Sequence, residues 1–503
     1  MAVSALGCAT WWRLKLAMLL VLVVVMFFIL RSLSRGPEVI RLPAVHSRAG
    51  EYIQVRPEFI PRKKSFKGCE NNPGALFDYG KDDVLSYCNS PFRQEERGDT
   101  GEGINNRGYQ LLAAYVVIRH GDRSPMGHNN SVLSLYKQLS LSCKFDDGLL
   151  QQASEMSSYV RTMSSHSYLQ TQFNGFELHP ESHHCGSAML TPLGATQHVK
   201  LGLHLQGAYV NKHKLLAENF TQSDMLLMST NRGRTVQSAL AFLYGFLPGF
   251  SFSKFRLDIG SYQYDNYCDE LILGQPCKCG ALLRLKAQMR EDITQKIKTD
   301  PILISVADRF SGAKRAPWPA EIMDVLMGYA CHNVDLPKLN GKCVDIDDLE
   351  AVVKAAYTLI GYQQQSDSHR KASVLIAYPL VLRLSKLMAA HMYKYKAKRQ
   401  PVKFALFSGH DTTISPLLTA LGLHDGIWPP FASRLTFELY RSVANERLYM
   451  RVVYLGKDVT RKLRFCGGSL IDGMCPLKNF LKFAKVGLLR EFQTTSYEVA
   501  CSG

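Results

Sequence analysis

Leu111-Leu112-Ala113-Ala114-Tyr115-Val116-Val117-Ile118-Arg119-His120-Gly121-Asp122-Arg123-Ser124-Pro125 is the stretch on which the fold turns. Its first eight residues are apolar, uncharged and partly β-branched, which predicts a buried strand. Open α/β sheets hold ligands at the carboxyl ends of their strands, and Arg119 begins a polar turn at that end. Arg119 and Arg123 are two guanidiniums four residues apart, a spacing that lets both fork onto one phosphate. His120 between them has the position of a nucleophile facing an electrophile already held by cations. The plain alternative is a basic loop with a chance histidine, and two further loops count against it.

Met225-Leu226-Leu227-Met228 reads as a second strand, ending in Ser229-Thr230-Asn231-Arg232-Gly233-Arg234-Thr235, with a helix following through 237–243. A helix N-terminus there adds backbone donors and a positive dipole end, and Arg234 is a third cation. Phe404-Ala405-Leu406-Phe407 reads as a third strand, followed by Ser408-Gly409-His410-Asp411 and a helix over 414–421 that Gly422 caps. Between the first two strands, Thr191 and Pro192 supply an N-cap and a first helical residue for a helix to about 206. Hydrolysis of a phosphomonoester needs positive charge on the non-bridging oxygens, an in-line nucleophile and a proton for the leaving alkoxide. Arg119, Arg123 and Arg234 offer the charge, His410 a further hydrogen bond, His120 the nucleophile and Asp411 the general acid. Because Asp411 must be protonated, acidic pH is favoured unless burial and the approaching phosphate raise its pKa. The arginines take the electrostatic role of a metal, so neither metal nor cofactor is expected. The sequence holds no P-loop pattern and no serine nucleophile elbow.

The chain has 503 residues, enough for a large core and more than one structural unit. Its formal net charge of +17 favours acidic partners such as phosphorylated or sulfated molecules, anionic membrane or nucleic acid. The basic residues are scattered, with no zinc-finger spacing or RNA-binding aromatic signature, so nucleic acid is not expected. Of 13 cysteines, Cys8 precedes an apolar segment and the others follow it, which fits up to six disulfides in an oxidising lumen. Cys277 and Cys279 are too close for an easy bridge to each other, so each is expected to pair elsewhere. Zinc is the competing reading, but repeated close cysteine pairs at metal spacing are missing. His179, His183 and His184 invite a metal as well; Pro180 disrupts the backbone among them, and a loop over a pocket is the preferred reading.

Residues 16–30 carry no charge; Trp11 and Trp12 precede them, and Arg13, Lys15 and Arg31 flank them. This predicts an uncleaved signal-anchor transmembrane helix over 11–31, with a cleaved signal peptide as the rival, since no small-residue cleavage site follows Leu30. Residues 1–10 are then a cytosolic tail and 32–110 a proline-rich stem, with Cys69 and Cys88 tying its second half to the body. A folded domain is expected over 111–490, its 249–400 section largely helical, followed by a frayed tail at 491–503. Pro379 either kinks one long helix or starts a new one. Asn129 and Asn219 begin glycosylation sequons, consistent with a lumenal body.

The loop at 119–125 together with His410-Asp411 resembles the histidine acid phosphatases, a branch of the histidine phosphatase superfamily. Leu190-Thr191-Pro192-Leu193-Gly194, Ser229-Thr230 with Arg234-Thr235, Pro429-Pro430-Phe431-Ala432-Ser433 and Cys475-Pro476-Leu477 extend the resemblance over about 110–480. It implies an α/β fold, with a mixed sheet flanked by helices and a smaller helical cap over the pocket. It implies His120 as a nucleophile forming a phosphohistidine, Asp411 as proton donor, and Arg119, Arg123, Arg234 and His410 on the phosphate. Asn231-Arg232-Gly233 departs from the family, which often has aspartates in that turn; this bears on substrate preference. A narrower resemblance is carried by the N-terminal anchor, Lys212-His213-Lys214, Leu243-Tyr244-Gly245-Phe246-Leu247-Pro248 and Cys331-His332-Asn333-Val334. It points to the Golgi type II membrane members that remove the 2-O-phosphate of xylose in the glycosaminoglycan–protein linkage region. That implies a Golgi membrane location with a lumenal catalytic domain and a phosphorylated glycan of proteoglycan core proteins as substrate. Glycosyltransferases of linkage-region synthesis are then the expected neighbours. The alternatives are an acid phosphatase on a phosphoprotein, lysophospholipid or inositol phosphate, and a silent glycan-binding phosphatase fold. The silent fold is disfavoured, because nucleophile, acid and phosphate-binding arginines are all present.

Overall fold

The computed structural model describes residues 86–91, 101–104, 108–127, 132–217, 219–260, 267–273, 277–310, 318–393 and 400–502. The expected cytosolic tail, membrane anchor over 11–31, Cys69 and Asn129 lie outside the described residues.

The first strand, β1 (Tyr109–Arg119), is longer than its apolar run at both ends and is fully buried from Ala113 to Ile118. Ala113, Tyr115 and Val117 enter one hydrophobic core while Ala114, Val116 and Ile118 enter another, the period-two alternation of a strand covered on both faces. The other main strands are β2 (Met225–Thr230), β3 (Leu257–Gly260), β4 (Phe404–Gly409), β5 (Arg434–Ser442) and β6 (Leu448–Tyr454). Short β7 (Lys457–Asp458) and β8 (Cys475–Pro476) complete a sheet of order β8-β6-β5-β1-β4-β2-β3, with β7 pairing β6. The run β1-β4-β2-β3 is parallel and β1-β5-β6-β8 antiparallel, so the sheet is mixed, as expected.

One face is covered by α1 (Pro192–Leu205) and α2 (Gly233–Phe246), through Val199, Leu205, Leu240 and Phe242. Thr191 caps α1 as predicted, accepting from the Gly194 N–H. The next helices are α3 (Gly280–Thr299), α4 (Pro301–Phe310), α5 (Pro319–Cys331) and α6 (Ile346–Gln365). Leu303, Ile322, Leu326, Leu349 and Val352 of α4–α6 share a third core with Tyr87 and Phe431, which is the expected helical cap. The opposite sheet face is covered by α7 (Asp367–Ala390) and α8 (Asp411–Leu421). Pro379 lies inside α7, so one long helix continues through it, from Asp367 to Ala390. Among the described residues α7 is the helix long and apolar enough to cross a membrane, yet its Leu375, Val381 and Leu384 sit in the core.

Five disulfides join Cys88–Cys331, Cys143–Cys185, Cys268–Cys277, Cys279–Cys501 and Cys466–Cys475, and Cys343 is disulfide-bonded as well. Cys277 and Cys279 pair elsewhere, as their spacing required. The frayed end expected from the sequence is corrected. Tyr497–Ser502 is a short helix, α9, fastened to α3 by Cys279–Cys501, and Tyr497 stacks on Tyr378 at 5.0 Å.

Part of the expected stem also belongs to the body. Glu102 is buried and bonds Arg434 Nε of β5 at 2.6 Å, and the Gly103 N–H donates to Glu438 at 2.7 Å. Burial raises the Glu102 carboxyl, but His204 and Arg434 outweigh it and hold it down to about 2. Glu102→Ala leaves Arg434 buried without its carboxylate, an expected cost of about 3–5 kcal/mol in urea unfolding. A loss below about 1 kcal/mol would mean that water replaces the pair.

Candidate active site

Parallel register brings the three loops together. Arg119 of β1 stands opposite Gly409 of β4, and Ser229 of β2 stands opposite Ser408. The residues that follow each strand, His120, Arg234 and His410-Asp411, therefore leave the same edge of the sheet.

The first loop is held by its backbone. The Arg119 N–H donates to Ser433 O and the His120 N–H to Gly409 O, both at 2.9 Å, and the Ala432 N–H donates to His120 O at 3.0 Å. The Gly121 N–H donates to Ser238 Oγ and the Asp122 N–H to Gln197 Oε1. A Cβ on Gly121 would stand 2.3 Å from Gly194 O, and one on Gly194 2.2 Å from Asp122 O, so both positions require glycine for the loop to lie on the start of α1.

Arg119 is buried, with its guanidinium 4.4 Å above the Phe431 ring. It donates to Pro429 O at 2.5 Å and to the Tyr87 hydroxyl at 3.1 Å. Arg123 forks onto Asp324 of α5 at 2.8 and 3.2 Å. Both arginines keep a buried Nε without a hydrogen-bond partner among the described residues. Arg234 lies in the first turn of α2 and donates through Nη2 to His410 Nδ1 at 3.3 Å. Since arginine only donates, His410 Nδ1 accepts, and its Nε2–H faces Thr230 Oγ1 at 2.8 Å.

His120 Nδ1 lies 2.8 Å from Gly121 O. A carbonyl only accepts, so Nδ1 carries the hydrogen and Nε2 keeps the lone pair. Burial, then the charges of Arg234, Arg119 and Arg123, hold the His120 pKa well below 6.5. The ring is 5.5 Å from that of His410, whose pKa burial and Arg234 lower to about 3. Asp411 opens α8 and accepts from Trp428 Nε1 at 2.7 Å. Burial pushes its carboxyl up, but Arg119, Arg123, His410 and the indole N–H outweigh burial and hold it below the ordinary value. Burial alone would raise it, so the charges around it reverse the direction.

All six predicted residues meet at this edge. The triplet of histidines does not: His179 is buried against Ser164, whereas His183 and His184 are exposed. Asn219 is exposed. Sequence reading missed Tyr87, Asp324 and Trp428. The signal available for Trp428 was its place directly before the Pro429-Pro430-Phe431 motif. His332, quoted only as part of a motif, bonds the buried Asp122 at 2.6 Å and so joins the end of α5 to the loop after β1. Burial lowers the His332 pKa, but Asp122 outweighs it and leaves the value raised. The folded state then favours the proton. The pair stabilises fully below the ordinary histidine pKa of about 6.5 and is lost as pH rises through the raised value. His332→Gln is expected to flatten the decline of melting temperature with rising pH in that window; an unchanged slope would mean that the pair does not titrate there.

The profile of the histidine phosphatase superfamily (branch 2) matches residues 110–300 and 342–455. A 2-phosphoxylose phosphatase 1 from Homo sapiens is 30% identical over 415 residues, covering 80% of this chain and 82% of the relative. Its Danio rerio counterpart is 29% identical over 449 residues, covering 83% and 86%. A lysophosphatidic acid phosphatase type 6 from Homo sapiens is 24% identical over 404 residues, covering 78% and 86%.

Proposed function

The chain belongs to the histidine phosphatase superfamily (branch 2) and is a phosphoric monoester hydrolase, and on that premise we propose that His120 is its nucleophile and Asp411 its proton donor. The observation that carries this reading is the His120 tautomer: a neutral imidazole, its Nε2 lone pair unprotonated, among three arginines.

Substrate phosphate is bound by Arg119, Arg123 and Arg234, with His410 beside Arg234. His120 Nε2 attacks phosphorus; the P–N bond forms as the bond to the leaving oxygen breaks, and Asp411 gives that oxygen its proton. Water then attacks phosphorus, Asp411 takes the water's proton, the P–N bond breaks, and inorganic phosphate leaves. Asp411 takes its first proton from solvent as the substrate binds. A phosphate dianion cancels the pull of Arg119 and Arg123, and burial then raises the carboxyl.

The substrate we propose is the 2-O-phosphate of xylose in the glycosaminoglycan–protein linkage region, on proteoglycan core proteins. Relatives named for 2-phosphoxylose, each matching about four fifths of this chain, support it. A Golgi membrane location, with the anchor at 11–31 and the catalytic body in the lumen beside linkage-region glycosyltransferases, fits the disulfides. The test is full-length protein in detergent on the phosphorylated linkage tetrasaccharide, lysophosphatidic acid and an aryl phosphate. Release from the tetrasaccharide at the highest kcat/KM is expected. Aryl phosphate hydrolysis with none from the tetrasaccharide would remove the xylose reading and leave the enzyme class.

A further inference from the structure

Trp428 has no part in the chemistry above, yet its indole Nε1–H is bonded to one oxygen of the proposed acid, Asp411 Oδ2, at 2.7 Å. The next residue, Pro429, gives its carbonyl to Arg119 at 2.5 Å, so this short segment anchors a phosphate-binding cation and the acid together. The indole is half-buried, packed partly into the cap core that holds Tyr87 and Phe431, and its neighbour Ile427 is 43% exposed. With Oδ2 accepting from the indole, Oδ1 is the oxygen left to carry the proton that Asp411 passes to the leaving group once substrate is bound.

Geometry then constrains the leaving group. To take a proton from Asp411, the leaving oxygen must come within about 3 Å of that carboxyl. The carbon skeleton attached to it must pass the side chain that holds the carboxyl from the side. A partly exposed indole offers a flat apolar face. It suits a compact saturated ring that presents C–H bonds to it, and gives an open chain less to rest on.

We infer that Trp428 is both the positioning residue for Asp411 and the binding face for a saturated ring on the leaving side of the substrate, a cyclic alcohol such as a pyranose. This rests on Asp411 as the proton donor, not on xylose as the sugar. One side chain thereby ties ring recognition to proton delivery: a ring seated on the indole has its oxygen beside the acid.

The experiment compares cyclohexyl phosphate with acyclic 3-hexyl phosphate, two secondary alkyl esters of similar leaving-group basicity, on the full-length protein, Trp428→Phe and Trp428→Leu. The readouts are the ratio of kcat/KM values and the pH dependence of kcat. The native protein is expected to prefer the cyclic ester by about tenfold, Trp428→Phe to keep that preference and Trp428→Leu to lose it. In Trp428→Phe the carboxyl loses a donor that favours its charged form, so its pKa rises and the fall of kcat on the basic side moves to higher pH. No ring preference in the native protein, or an equal preference in Trp428→Leu, would overturn the binding face. An unmoved basic limb in Trp428→Phe would overturn the positioning role, and that variant decides it even if Trp428→Leu does not fold. A negative result on the linkage tetrasaccharide would leave every one of these outcomes readable.

Discussion

Replacing His120 by alanine is expected to lower kcat/KM on the order of 10⁴-fold or more, for alkyl and aryl phosphates alike. The equal loss is the diagnostic part. If His120 Nε2 forms the first bond to phosphorus, its removal precedes any question of how well the leaving group departs. The arginines remain, so binding of inorganic phosphate should survive, and the loss should fall on kcat. The loop itself is held by backbone bonds from Ser433, Gly409 and Ala432 and by the Gly121–Gly194 contact. The alanine protein should therefore melt near the native temperature. Retained turnover in a folded His120→Ala protein would refute the phosphohistidine.

Asp411→Asn is expected to split substrates that His120→Ala does not. Alkyl phosphates leave as strongly basic alkoxides and should lose about 10²–10⁴-fold in kcat. An aryl phosphate with a good leaving group needs little protonation and should lose far less in the phosphorylation step. The amide oxygen of asparagine still accepts from Trp428 Nε1, so the geometry around position 411 is conserved. With no titrating carboxyl, the fall of alkyl phosphatase activity on the basic side of the pH profile should flatten as well. Equal losses on the two substrate types would assign the proton to another group.

The parts of the fold that were legible in the sequence share one property: the signal is local. β1, β2 and β4 announce themselves as apolar runs, and each ends in polar residues at the sheet edge. The Thr191 cap and the Gly422 stop of α8 follow from single-residue backbone preferences. The six candidate residues could be proposed from sequence because each lies within a few residues of such a strand end. What no local pattern carries is partnership across the chain. Asp324 looked like any helical carboxylate until α5 placed it on Arg123. Tyr87 and Glu102 sat in a segment whose prolines and polar residues read as a stem, and they are buried by Cys88–Cys331 and by the pair with Arg434. The carboxyl of Asp411 shows the same limit in electrostatics. Burial alone points upward, and the placement of Arg119 and Arg123 beside it, with His410 and the Trp428 indole, reverses the sign.

The proposed chemistry depends on a covalent bond at one nitrogen, so trapping that bond is the decisive measurement. The Asp411→Asn protein suits it, since an aryl phosphate still phosphorylates the enzyme while hydrolysis of the phosphoenzyme lacks its base. Rapid mixing with labelled aryl phosphate, quenching into alkali and peptide mapping should place the label on the peptide that carries His120, approaching one per chain. Phosphate release without labelled enzyme, or label on any other residue, would contradict His120 as the nucleophile.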